Sequence, residues 1–319
     1  MIARDPVELM AGAATGSRTA LARLITYVES GGERQREVAA LAYRTAAPYV
    51  VGLTGPPGAG KSTLTDTLIA ALLARGGLGA ISCKEVGVLC VDPSSPFSGG
   101  AILGDRIRMQ SHATNDAVFI RSMATRGNLG GLSLAVPDAL RVLGAVGFAV
   151  ALVETVGVGQ MEVDVASAAD TTVVVTNPGW GDAMQANKAG LLEVADIFVI
   201  NKADRAGLRE TRRDLEQMLE LGTTKEPRPP ILETVASSGA GAEELWRAII
   251  EHRRLVTGTQ QDRHRETQAR AELDRVLSVM LRARIGELAE GAAYAEQIAD
   301  LIAGQTDPYR AAEALLSET

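Results

Sequence analysis

The chain has 319 residues, which at about 150 per domain suggests two domains or one α/β core with appendages. Hydrophobic residues make up 46% and charged residues 22%, ordinary globular usage that excludes a mostly disordered or fibrous chain. An aromatic content of 3% and a formal net charge of -7 argue against nucleic acid as a partner, because base stacking and phosphate binding need the opposite.

The opening stretch MIARDPVELM mixes Arg4 with Asp5 and Glu8 and has no apolar leader core, so the chain reads as untargeted and cytoplasmic. From Pro6 to about Ala47 apolar residues return at helical spacing, as at Leu21, Leu24, Ile25 and Val28. Ser17 is the expected N-cap and Gly31-Gly32 the expected stop, giving an N-terminal helical extension over 1–47.

From Pro48 to about Thr257 short β-branched runs alternate with longer helical stretches. The runs are Tyr49 to Thr54, Val86 to Val91, Val118 to Ile120, Ala149 to Val153, Thr171 to Thr176, Ile197 to Ile200 and Ile231 to Val235. Strands apolar on both faces and separated by helices predict an α/β fold with a doubly wound, mainly parallel sheet over 48–257. Cys83 and Cys90 fall where a loop enters a strand, and two cysteines give neither a disulfide framework nor a zinc pattern. The longest apolar run, Val142 to Val153, is 12 residues. That is short of the roughly 18 of a membrane span, so it reads as a helix end, a glycine turn and a buried strand.

The first run leads directly into Gly55, Pro56, Pro57, Gly58, Ala59, Gly60, Lys61, Ser62 and Thr63, which fit G-x-x-x-x-G-K-[ST] between a strand and a helix. Glycines there let successive backbone N–H groups converge on phosphate oxygens, while the helix presents its positive end. Lys61 is expected to reach the outer phosphates and the Ser62 hydroxyl to ligate Mg2+. Oxygen ligands for that ion are also expected from Asp92, Asp105 and Glu154, which sit at strand ends or loops on the same edge. A strand-end carboxylate can equally cap the next helix.

Glu154 to Gly157 occupies the place of the D-x-x-G segment of GTPases, so Gly157 is expected to sense the γ-phosphate. The following residue is Val158, where a water-positioning Gln would be needed for fast unaided hydrolysis. Further on, Asn201, Lys202, Ala203 and Asp204 form N-K-x-D directly after a strand. A carboxylate at Asp204 can accept from both the ring N–H and the exocyclic amine of guanine, a pair that adenine does not offer. Lys202 would lie across the purine face, and Asn201 would tie this loop to the phosphate loop. At Val235, Ala236 and Ser237 a backbone amide could meet the guanine carbonyl.

Beyond Gly258 strand signals end. Leu273, Val276, Leu277, Met280, Leu281 and Leu288 make a stripe on a highly charged helix, and short helices follow around Ala295 to Ile302 and Pro308 to Leu316. The stripe suits either packing on its own domain or a subunit interface, and 258–319 reads as a C-terminal helical region.

Five segments carry a resemblance: GPPGAGKST at 55–63, VDPSSPFSGGAILGDRIRM at 91–109, ETVGVGQMEVD at 154–164, PGWGDAMQANKAG at 178–190 and NKAD at 201–204. Together they resemble the MeaB/ArgK family of P-loop GTPases in the SIMIBI class, nearly end to end. The resemblance implies a homodimeric GTPase that uses GTP/GDP and Mg2+. Its implied partner is an adenosylcobalamin-dependent acyl-CoA mutase, chiefly methylmalonyl-CoA mutase, whose loading by the adenosyltransferase it gates and which it protects. It also implies that 92–109 and 154–164 are switches, and that a further switch around 178–188 couples to the mutase through Asp182, Gln185 and Lys188. Met161 departs from a serine common among relatives, and Arg106 and Arg108 are weak candidates for transition-state charge stabilisation. Two other readings compete. One is a nickel metallochaperone, which His112, His252 and His264 are too scattered to favour; the other is an ATP-dependent transport kinase, which Asp204 opposes.

Overall fold

The computed structural model describes residues 5–92, 112, 114–124, 135–155, 167–179, 193–222, 227–256 and 259–317. They fall into two compact units, 1–262 and 263–319.

The first unit opens with three helices. In α1 (Pro6–Ala14) the Asp5 side chain accepts from the amides of Val7 and Glu8, and Pro6 sits where a helix has no use for its missing N–H. Ser17 caps α2 (Arg18–Ser30), its Oγ accepting from Ala20 N at 3.3 Å. The Gly31-Gly32 stop is a corner rather than an end of helical structure. Gly31, at φ +75°, closes α2, and α3 (Gly32–Ala42) begins at once.

Among the described residues seven strands make one sheet: β1 (Tyr49–Thr54), β4 (Val86–Asp92), β5 (Val118–Ala124), β6 (Val150–Thr155), β7 (Thr171–Thr176), β8 (Ile197–Asn201) and β9 (Ile231–Thr234). Their order is β5-β4-β6-β1-β7-β8-β9 and every neighbouring pair is parallel, as the buried two-faced runs imply. Between β1 and β4 a two-stranded antiparallel hairpin, β2 (Gly77–Leu78) and β3 (Ile81–Ser82), stands outside the sheet; two residues per strand give no readable alternation.

Helices cover both faces. On one, α1, α2, α3 and α5 (Ala135–Ala145) bury Leu24, Ile25, Val38, Val136 and Leu143 against Leu89, Val91, Ala151 and Val153. On the other, α4 (Lys61–Arg75) and α7 (Ala242–Leu255) bury Leu64, Leu68, Leu72 and Trp246 against Val51, Leu53, Val88 and Val173. A third apolar cluster joins α6 (Leu208–Gly222) to β7 and β8 through Leu215, Phe198 and Val174. The N-terminal helices are also fixed by polar contacts: Arg121 on β5 pairs with Glu29 and Gln35 donates to Asp138 at 2.7 Å.

At the sheet edge where β1 and β7 begin, Tyr49 Oη lies 2.6 Å from Thr171 Oγ1, which lies 2.8 Å from His252 Nδ1 near the end of α7. Burial pushes the Tyr49 phenol well above its ordinary value, so it stays neutral in this chain.

Strands β4, β5 and β6 lie on one side of β1, and β7, β8 and β9 on the other. The side on which successive strands are added therefore switches at β1, and a crevice is expected outside its carboxyl end. That end leads into the glycine-rich loop.

In the second unit α8 (Thr259–Ala289) continues from the first, followed by α9 (Ala292–Ile302) and α10 (Pro308–Ser317). Within this unit α9 and α10 leave the stripe on α8 exposed: Leu273 is 58% exposed, Met280 52% and Leu281 63%. Among the described residues no helix is long and apolar enough to cross a membrane.

Leu24 is fully buried between α2 and the sheet. Leu24→Ala should destabilise the protein by about 2–5 kcal/mol through lost transfer energy plus a cavity, read as a lowered midpoint in chemical denaturation. A midpoint unchanged from wild type would show that α2 does not belong to the cooperative core.

Candidate functional site

The loop after β1 is shaped by close approach. A Cβ on Gly55 (φ +134°) would stand 2.0 Å from the Val175 carbonyl oxygen of β7, so only glycine lets the loop cross the neighbouring strand. Gly60, at φ +92°, is the N-cap of α4 and brings no side chain to its first amides. The orphan N–H groups and positive end of a 15-residue helix face the loop, the arrangement that binds phosphate. Lys61 is buried, with Nζ donating to the carbonyls of Gly55 at 2.7 Å and Pro56 at 3.0 Å, so its ammonium is held over the loop.

One residue on, Ser62 Oγ donates to Glu154 Oε1 at 2.5 Å, and Thr65 Oγ1 lies 3.2 Å from Oε2. Glu154 is fully buried near the end of β6, opposite Leu53 of β1 and Cys90 of β4. The pairing puts its side chain on the α4 face of the sheet. A buried carboxylate beside a buried hydroxyl is an all-oxygen donor set that fits a magnesium ion. Asp92 ends β4, next but one to β1, while Asp105 lies outside the described residues.

The N-K-x-D loop leaves β8. The Asn201 carboxamide is buried and makes three bonds: Nδ2 donates to Ala59 O at 2.9 Å, and Oδ1 accepts from Thr234 Oγ1 at 3.0 Å and Ala236 N at 3.1 Å. A Cβ on Gly60 would stand 2.4 Å from Asn201 Nδ2, a second reason for glycine there. Lys202 adopts φ +58°, the left-handed region, and its Nζ donates to Gly58 O at 2.6 Å. Its backbone is held by Ala203 N donating to Thr234 O and Arg205 N to Lys202 O, both at 3.0 Å. Such a conformation costs a side-chain-bearing residue of order 1 kcal/mol and marks a constrained site. Asp204 is exposed beside it.

In the third loop Val235 N donates to Ala240 O, Ala236 N to Asn201 and Ser238 N to Val235 O, so these amides are engaged within the protein. The Ala236 carbonyl accepts from Thr67 Oγ1 of α4 at 2.8 Å, and Trp246 Nε1 of α7 donates to Leu68 O at 3.0 Å. Sequence reasoning missed Thr65, Thr67 and Trp246. The signal for the first was present: Ser62 and Thr65, three apart, share a helix face.

The structure thus brings the phosphate loop, Glu154, Asn201, Lys202 and the Val235–Ser237 loop to one edge of the sheet. Gly157, Val158, Met161, Arg106, Arg108, Asp182, Gln185 and Lys188 lie outside the described residues. Of the histidines, His112 Nε2 lies 3.1 Å from Asp66 O on α4, His252 lies at the opposite sheet edge, and His264 is on α8.

Comparison with known proteins identifies the family. The family model described as methylmalonyl-CoA mutase-associated GTPase MeaB matches residues 21–288. A protein of Pyrococcus abyssi named as a GTPase is 47% identical over 98% of this chain and 96% of its own. GTPase ArgK of Escherichia coli is 39% identical over 76% of this chain and 75% of its own. A crystal structure described as LAO/AO transport system kinase superposes with a TM-score of 0.69 and 26% identity, covering 99% of this chain and 98% of that one. On these grounds the chain belongs to the MeaB/ArgK family of P-loop GTPases.

Proposed function

We propose that this protein binds GTP with Mg2+, hydrolyses it slowly, and uses the nucleotide state to act as a chaperone for an adenosylcobalamin-dependent acyl-CoA mutase. The observation that carries the nucleotide reading is the Asn201 bridge, which holds the N-K-x-D loop against the phosphate loop. In that cleft the amides of 58–63 and Lys61 bind the phosphates. Lys202 lies along the purine, and Asp204 accepts the two guanine protons. Ser62 and Glu154, with Asp92 and Asp105 as further candidates, would hold the magnesium ion, which when bound neutralises charge on the outer phosphates. Phosphoryl transfer to water then depends on positioning by these residues. With Val158 after Gly157 nothing at that position orients the water, so turnover is slow until a partner supplies what is missing. The mutase as partner rests on the family model's description and on the segments at 91–109 and 178–190. Asp182, Gln185 and Lys188 would couple to it.

Calorimetry with GDP and ADP in Mg2+ tests the nucleotide reading. GDP should bind far more tightly than ADP, and Asp204→Asn should weaken GDP by about 10–100-fold, the value of hydrogen bonds to a charged acceptor. ADP binding as firmly as GDP would revive the transport-kinase reading. For the partner, pull-down from the native host should co-purify a cobalamin-dependent mutase, with GTP turnover rising when it is added. No stimulation by that mutase would remove the chaperone role.

The resemblance's homodimer is assigned to the second unit, where the α8 stripe is exposed at Leu273, Leu277, Met280 and Leu281. A surface of this kind marks an interaction site. Removing residues 258–319 should convert a sedimenting dimer to a monomer. A truncated chain that remains dimeric would place the interface elsewhere.

A further inference from the structure

Glu154 stands where the D-x-x-G segment has aspartate, and its carboxylate is one methylene farther from the strand. The extra rotatable bond adds side-chain freedom that must be removed before one oxygen can point in a fixed direction. Ser62 holds only Oε1. The second oxygen faces Thr65, a residue outside the G-x-x-x-x-G-K-[ST] pattern and fully buried on α4.

The Thr65 hydroxyl has one proton and two acceptors in reach, Lys61 O at 3.0 Å and Glu154 Oε2 at 3.2 Å. The first is the i−4 contact open to any helical threonine, and the exposed Thr26 and the half-buried Thr67 make it as well. Thr65 differs in facing a buried carboxylate, and a charged acceptor outcompetes a neutral carbonyl for the proton. From this geometry we propose that Thr65 is a positioning residue for the magnesium site: its hydroxyl clamps Glu154 Oε2, so that Oε1 and Ser62 Oγ face the ion together. The proposal rests on the reading of this cleft as a Mg-GTP site.

The experiment measures GTPγS affinity by calorimetry in saturating Mg2+ and again in EDTA, for wild type, Thr65→Val, Thr65→Ala and Thr65→Ser. Wild type should gain affinity from Mg2+. Valine, nearly the same shape, and alanine should each cut that gain by about tenfold, the effect of one hydrogen bond to a charged group, and leave the EDTA affinity unchanged. Serine, which keeps the hydroxyl, should retain the gain. In a Glu154→Asp background the shorter carboxylate is out of reach, and Thr65→Val should cost nothing further.

A full Mg2+ gain in the valine and alanine variants would overturn the proposal. So would equal losses with and without Mg2+, the mark of a packing role, or an undiminished valine effect in the Glu154→Asp background. A wild-type protein whose GTPγS affinity ignores Mg2+ would overturn the functional reading itself, and the wild-type control identifies that failure separately.

Discussion

A buried carboxamide can join two stretches of backbone that no helix or strand joins, because it offers a donor on one side and an acceptor on the other. Asn201 is placed to do this, at the end of β8 with its donor on Ala59 and its acceptor shared by Thr234 and Ala236. Its position accounts for two backbone oddities around it. Gly60 has no room for a Cβ beside the amide nitrogen, and Lys202 is held in the left-handed region while its ammonium returns to Gly58. Without the carboxamide, buried groups on two loops would lose their partners, a cost of about 1–3 kcal/mol for each left unsatisfied.

The same economy appears on the other side of the loop. Helix α4 is anchored by Leu64, Leu68, Ile69 and Leu72 in the core, which turns Ser62 and Thr65 towards Glu154 on the sheet. Thr67 on the flank reaches Ala236, and Trp246 fixes the Leu68 carbonyl from α7. One helix therefore sets the phosphate side, the carboxylate and the third loop relative to each other. Hydrophobic burial supplies the rigidity, and short polar contacts supply the direction. A cleft built this way costs little reorganisation when an anionic ligand arrives, which is the condition for catalysis by positioning.

How much of this could be read from residues alone follows from the range of each interaction. The strands were legible because a parallel central strand is β-branched or apolar on both faces: Val150 to Val153 and the β-branched run Thr171 to Val175 carry that pattern without help from the rest of the chain. The phosphate loop and N-K-x-D were legible because their spacing is local. The β2–β3 hairpin was not, since two residues per strand have no period. Thr67 and Trp246 were not, because they act across 169 and 178 positions of sequence on partners that only the fold selects; for Thr65 the shared helix face with Ser62 was readable, but its partner 89 positions away was not. The α8 stripe sits between these cases. Its helical spacing was plain, yet whether the helices that follow it would cover Leu273 and Leu281 depended on packing, and within that unit they leave both exposed.

Strand order brings segments that are distant in sequence to one edge of the sheet. The chain leaves β1 after Thr54 into the phosphate loop, leaves β4 after Asp92, leaves β6 after Thr155 and leaves β7 after Thr176. In sequence these exits are spread over more than a hundred residues, but in the sheet they are consecutive, in the order β4-β6-β1-β7. The three segments that the family resemblance marks as switches begin at those exits, on both flanks of the glycine-rich loop. Because all pairs are parallel, all of the exits lie on one edge. A charge gained or lost beyond Lys61 is therefore within a few ångström-scale strand spacings, about 4.8 Å each, of every one of them. Asn201 on β8 and the buried face of α4 fix the walls of this edge from opposite sides of β1, so the loop after Thr54 is held by the sheet and not by its own length.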